Sequence, residues 1–360
     1  MTDDARWPDD RFRALLGSRH PILLAPMAGA GGVELAVAAM AGGAVGALPC
    51  AMLTPEAVHE QVAEVRARAE GPLNLNFACH AMPEGASDKA WRALLQRYYQ
   101  AYGIAEAAGE GPLRLPFGAD MCAVVEETRP ELVSFFFGLP EDALLDRVRH
   151  AGCRVLATAT TIDEARWLAE RGVDAIVAQG FEAGGHAGRF LPESRPEEQM
   201  GLFALLPQIV DATGLPVIAA GGIADGRGIA AAFVLGAAAV QVGTAYLLSP
   251  ESLVGGIHRT ALHEAEAEHS AFTNLFSGGL ARGLPTRLTR DLGWIRAEAP
   301  PFPLAAAALL PIAKAANARG ETGFLPMWSG QAARLAPVLP ARELTEQLAR
   351  DALARLARRA

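Results

Sequence analysis

At 360 residues, 51% hydrophobic and 20% charged, the chain is long enough to bury one large core or two modest ones, and its composition is that of an ordinary globular protein. A net charge of −8 gives no basic footprint for nucleic acid, and no apolar run reaches the roughly 18 residues that would cross a bilayer. The acidic start MTDDARWPDDRF lacks the apolar core of a secretion signal, and Cys50, Cys79, Cys122 and Cys153 show no CxxC spacing, so a cytoplasmic protein without disulfides, membrane span or bound metal is expected.

Eight short apolar runs follow in chain order: 21–27 (PILLAPM), 44–50 (AVGALPC), 73–78 (LNLNFA), 132–138 (LVSFFFG), 154–160 (RVLATAT), 174–180 (DAIVAQG), 216–222 (PVIAAGG) and 239–247 (AVQVGTAYL). Nearly continuous hydrophobicity is the signature of parallel strands covered on both faces. Helical patterns separate them, such as 54–71 with Thr54 as N-cap and Gly71 as stop, and 161–172 ending at Gly172. Strand then helix, eight times, predicts an α/β fold of the (β/α)8 TIM-barrel type. The competing doubly wound sheet would carry a GxGxxG turn after its first strand, which GAGGVELA (29–36) imitates only loosely.

Two stretches break the repeat. The crossover 83–129 is longer than one helix needs, and 249–311 contains no further barrel strand. The expected division is a barrel over 1–248, a small helical subdomain over 249–311 lying across one end of it, and helices over 312–360 returning to the barrel wall. Within the subdomain, HRTALHEAEAEHSAFTN (258–274) reads as one or two helices; His263 and His269, six apart, point away from one another and read as a solvated acidic face, not a metal site. Trp328 reads as a core residue or, less usually, as one packed near a bound cofactor.

In such a barrel the chemistry sits at the C-terminal strand ends, and a phosphate is commonly held after strands 7 and 8. Both loops are suited to holding one. Gly221 and Gly222 in GGIADGRG bare the backbone, the next helix would aim its N-terminus at an anion, and Gln241, Gly243 and Thr244 follow strand 8. Asn74 and Asn76 share one face of strand 3, Gln179 ends strand 6, and Ala25, Pro26 and Met27 end strand 1. Amides among apolar backbone suit a neutral planar heterocycle such as a flavin. In QGFEAGGHAG (179–188), glycines flank His186, a ring that titrates near neutral pH.

Together APMAG, LNLNF, VSFFFGLP, QGFEAGGHAG, PVIAAGGIADGRG and QVGTAYL resemble the nitronate monooxygenase family over nearly the whole chain, and FTNLFSGGLARGLP (272–285) with LPMWSGQAARLA (325–336) resemble its flavin-only branch. The resemblance implies FMN in the barrel, contacted by Ala25, Pro26, Met27, Asn76, Gln179, Gly184, Gly185, Gly221, Gly222, Gln241, Gly243 and Thr244. It also implies a small-molecule substrate and oxygen as co-substrate, with a carbonyl compound and nitrite as products. His186 is the implied active-site histidine, as base toward a nitroalkane or as partner of a nitronate anion, and Phe136 and Ser277 are implied in the substrate pocket. An NAD(P)H-dependent flavin reductase and a flavin-binding protein without this activity stay as alternatives.

Three positions depart from the family pattern: Phe136 stands where histidine is usual, Ala187 where arginine follows the active-site histidine, and Gly279-Leu280 where Arg-Pro is usual. Each removes a donor or a charge near the pocket, which is expected to weaken binding of a compact anion. On strand alternation, Phe135 and Phe137 should share one face and Phe136 the other with Ser134.

Overall fold

The computed structural model describes residues 6–104, 113–192, 198–264 and 268–358. Eleven strands occur among them: β1 (Ile22–Leu24), β2 (Gly46–Pro49), β3 (Leu73–Ala78), β4 (Leu132–Phe136), β5 (Arg154–Ala159), β6 (Ala175–Gln179), β7 (Gly185–His186), β8 (Val217–Ala220), β9 (Ala239–Val242), β10 (Ala271–Thr273) and β11 (Ala281–Gly283). Eight of these pair in parallel in the order β1-β9-β8-β6-β5-β4-β3-β2. Val45, just before β2, closes the ring: it donates to the Ile22 carbonyl and accepts from the Leu24 N–H, at 2.9 and 3.0 Å. The expected TIM barrel is therefore present, with all eight strands where the apolar runs lie.

Alternation along the strands divides the barrel interior into an apolar floor and a polar mouth. Leu23, Val45, Leu132, Leu156, Ala175, Val177 and Ile218 form the floor with Phe12, a fully buried ring from the short helix Arg11–Leu16; truncating such a ring costs roughly 3–5 kcal/mol. Two residues further along the same faces stand Ser134, Thr158, Gln179 and Gln241, with Asn76 beside them. The opposite faces, such as Leu75, Phe135 and Ile176, pack against the surrounding helices. The C-terminal helix Ala341–Leu356 closes this outer wall against helices Val33–Ala41 and Gly226–Val234.

A second core lies apart from the barrel. Helix Lys89–Tyr102, from the long crossover between β3 and β4, buries Trp91, Leu95, Tyr98, Tyr99 and Tyr102 at helical spacing against helix Ala305–Ala318. The small residues Ala305, Ala308 and Ala316 of the latter let the aromatic face come close, and Trp91 Nε1 donates to the Ala305 carbonyl at 3.2 Å. Helix Ala305–Ala318 runs unbroken across 311–312, the point expected to begin the return to the barrel, and belongs to this second core.

One local expectation is corrected. The stretch 258–274 continues helix Gly256–His263 but does not stay helical: Ala271–Thr273 is β10, and residues 265–267 fall outside the described residues. Phe272 pairs across with Arg282 of β11, whose guanidinium lies 4.4 Å from the Phe272 ring centre, so cross-strand contact decides the conformation. No helix of the described residues is long and apolar enough to cross a membrane.

Candidate active site

At the C-terminal ends of the strands a cavity of about 850 Å³ opens, within the range of small-molecule and cofactor sites. Ala25, Pro26, Met27, Asn76, Phe136, Gln179, Gly184, Gly185, His186, Gly221, Gly222, Gln241, Gly243 and Thr244 all line it. Segments distant in the chain thus converge because each follows the carboxyl end of a barrel strand or is paired to one.

The two glycine loops form a bare backbone wall. Gly221 and Gly222 both have φ in the left-handed region, +114° and +67°. A Cβ on Gly221 would lie 3.1 Å from the Ala183 nitrogen, and one on Gly184 only 2.5 Å from the Gly330 nitrogen, so the loops pass too closely for side chains. Gly330 in turn donates to Thr244 Oγ1 at 2.9 Å, locking the segment 327–331 over the mouth. The following helix does not contribute its N-terminus. Asp225 caps helix Gly226–Val234, accepting from the N–H groups of Arg227 and Gly228 at 2.8 and 3.3 Å, so a resident carboxylate takes the place expected for a bound anion.

The amides divide into two kinds. Gln179 holds the loop: its Nε2 donates to the His186 carbonyl at 2.9 Å and its Oε1 accepts from Gly188 at 2.7 Å. Asn76 Nδ2 donates to Ser134 Oγ at 2.9 Å, leaving its Oδ1, together with the Gln241 amide, without a protein partner among the described residues and facing the cavity. Asn74 is fully buried below Asn76 and does not line the cavity; neither of its amide atoms has a partner among the described residues.

His186 sits on β7, the third strand of a small sheet built with β11 and β10, so its backbone is fixed from both sides: by Gln179 and by pairing with Ala281. Its Nε2 shares a 2.8 Å hydrogen bond with Ser277 Oγ. Ser277, expected in the substrate pocket, does not reach the cavity wall and stands behind the histidine instead. Burial, with the nearby charges of Arg114 and His80, pushes the His186 pKa down to about 3. The imidazole is therefore neutral at ordinary pH.

Aromatic rings surround it. Phe137, Phe302 and Trp328 lie 6.0, 5.3 and 5.5 Å from the His186 ring centre. Trp328, expected in a core, lines the cavity, because the bridge from Gly283 to Trp328 ties its segment to β11. Phe136 lines the cavity with Ser134 as alternation requires, but Phe137 does not follow Phe135 into the helix-facing core: β4 ends at Phe136, and Phe137 at φ +64° turns toward His186. Gly279 is bare for a local reason, since a Cβ there would lie 3.4 Å from His186 and 3.3 Å from Phe302. Ala187 is buried and donates its N–H to the Leu280 carbonyl.

Two further cavity residues carry no signal in the sequence. Arg114 comes from the long crossover outside any motif, and His258, with Nε2 buried without a partner among the described residues and its pKa pushed down to about 4 by burial, comes from helix Gly256–His263. Glu182 also lines the cavity, but its carboxylate accepts the Leu202 N–H and caps helix Leu202–Thr213. Among the described residues no cluster of three or more His, Cys, Asp or Glu could hold a metal.

Comparison with known proteins places this geometry among relatives. The sequence model of the family described as nitronate monooxygenase matches residues 10–351. The chain is 41% identical to nitronate monooxygenase of Paraburkholderia phytofirmans over 94% of its own length and 93% of the relative's, and 39% identical to nitronate monooxygenase of Pseudomonas aeruginosa over 95% and 99%. Its fold superposes on the crystal structure of nitroalkane oxidase from Streptomyces ansochromogenes with a TM-score of 0.89 at 32% identity, covering 97% of this chain and 100% of that one.

Proposed function

Because the chain belongs to the nitronate monooxygenase family, whose enzymes depend on a flavin, we propose that it binds FMN in the barrel mouth and oxidises alkyl nitronates with oxygen to a carbonyl compound and nitrite. The observation that carries this reading is the convergence of a bare glycine wall, the free Asn76 Oδ1 and Gln241 amide, and a half-buried neutral histidine on one cavity. A flavin fits these residues: the phosphate would lie on the backbone of Gly221, Gly222, Gly243 and Thr244, and the ring edge on Asn76 Oδ1 and Gln241. When bound, the flavin supplies the acceptor for electrons leaving the nitronate.

The protein's own groups do the rest. Gln179 and Ser277 hold His186 in place, and His186 in its neutral form takes the α-proton of a nitroalkane. Burial disfavours the cationic ring, the form that pairing with a substrate anion would need. Phe136 and Trp328 in the cavity wall, with Phe302 packed on His186, exclude water, which strengthens each polar contact to the substrate. The helical layer that includes part of 249–311 covers the substrate from above.

Mass spectrometry of the cofactor released from purified protein tests the assignment. FMN is expected, since the glycine loops make one compact phosphate site; FAD, or no flavin, would overturn it. Position 136 gives a second test. Phe136→His would add a donor to the cavity wall and is expected to raise kcat/KM on propionate 3-nitronate about tenfold, equivalent to roughly 1.4 kcal/mol. Unchanged steady-state kinetics would mean that position 136 does not face the anion.

A further inference from the structure

Among the described residues, the cavity contains a cation with no counterpart. Arg114 lines it, and its guanidinium carbon lies 5.5 Å from the centre of the Phe302 ring, the same ring that stands 5.3 Å from His186. The guanidinium makes one polar contact among the described residues, from Nε to the Met52 thioether at 3.0 Å, and has no carboxylate partner. A thioether is a weak acceptor, and a partly buried guanidinium without an anion is disfavoured. Glu182, the cavity's carboxylate, is held on the Leu202 N–H.

The position of Arg114 is built. His80 Nε2 bonds to the Arg114 carbonyl at 3.0 Å, and the Phe117 N–H donates to the Ala78 carbonyl at 2.7 Å, pinning this stretch to the end of β3. Arg282 differs. That guanidinium is also buried, but it donates to the carbonyls of Phe181 and Ser270 and lies over two aromatic rings, so its surroundings are those of a scaffold. Arg114 lines the cavity, and its two terminal guanidinium nitrogens have no polar partner among the described residues.

We infer that Arg114 is the specificity-determining residue that pairs with the negative charge of the substrate, its guanidinium donating to the oxygens of a planar oxyanion held beside Phe302 and His186. It would supply from the β3–β4 crossover the charge that Phe136 and Ala187 do not supply from their own loops. Arg matches such an oxyanion through two parallel N–H donors, which gives orientation as well as attraction. The assignment rests on the nitronate reading for the identity of the substrate, and on geometry alone for the anion site.

The test uses nitrate, an unreactive planar oxyanion. Flavin-loaded wild type, Arg114→Met and Arg114→Gln are titrated with sodium nitrate at constant ionic strength, following the perturbation of the flavin's visible absorption, and kcat and KM are measured for propane 2-nitronate. Both variants are expected to weaken nitrate binding roughly 10–100-fold, as for a lost charge-assisted hydrogen bond, and to raise KM by a similar factor with a smaller change in kcat. Arg114→Gln keeps a polar side chain and serves where Arg114→Met fails to retain its flavin. Equal nitrate affinity in wild type and variants, or no nitrate binding by wild type, overturns the proposal. Nitrate binding that depends on Arg114 in a protein that does not oxidise nitronates would uphold the anion site and overturn the nitronate reading.

Discussion

Replacing His186 by alanine is expected to leave the flavin bound and to lower turnover roughly 10²–10⁴-fold, the range for a lost general acid or base. The flavin should remain because His186 forms one part of the wall, whereas the glycine loops and the amides of Asn76 and Gln241 lie elsewhere around the cavity. The loss should be larger for a neutral nitroalkane, whose α-proton must be removed, than for a preformed nitronate. The pH dependence has a definite sign. His186 is pushed down to about 3, so its base form is present throughout the neutral range and is lost only as pH falls toward that value. The pH profile of wild-type kcat/KM on freshly dissolved nitroalkane should therefore show no inflection near 6.5, the ordinary histidine value. Wild-type kinetics in the alanine variant would assign His186 to the scaffold.

Gly222→Val is expected to yield folded but colourless protein. Gly222 has φ +67°, a conformation that a β-branched residue adopts only at a cost of about 1–2 kcal/mol, and its Cβ would meet Glu182 at 3.4 Å. The valine methyl groups would also cover the backbone on which we propose the phosphate rests. The barrel itself should persist, since Val217–Ala220 ends before this turn and stays paired with its neighbours on both sides. The checks are the visible spectrum, far-UV circular dichroism and the rise in Tm on adding FMN, which mass action requires of any ligand that binds the folded state. Wild-type flavin content in the valine variant would remove this loop from the phosphate site.

The departures from the family pattern gain physical content from the structure. Gly279 leaves room for the packing of Phe302 on His186, and Ala187 is buried under the Leu280 carbonyl, so a longer side chain at either place would have to displace its neighbours. Phe136 faces the cavity as the alternation of β4 predicts. Phe137 defeats that alternation because the rule holds only while the backbone remains extended, and a positive φ ends it.

Much of the architecture is legible in the residues themselves. Parallel strands buried on both faces leave continuous apolar runs, and glycines at fixed places after β6, β8 and β9 mark where the loops pass close to neighbouring segments. His186 stands out because glycines frame it. At the N-terminus of helix Gly226–Val234, expected to face an anion, the N–H groups of Arg227 and Gly228 are taken by the Asp225 carboxylate.

The sequence by itself thus determined the barrel, the wall of the cavity and the family. Tertiary structure alone decided which groups surround the histidine: Ser277 on its Nε2, Phe302 and Trp328 about its ring, and Arg114 across Phe302. The physical reason is that these residues lie in segments whose local patterns are unexceptional, and pairing of β11 with β7 and docking of the crossover onto β3 bring them to one place. Local periodicity records which face of an element is buried, whereas the partners of a side chain depend on how separate elements pack.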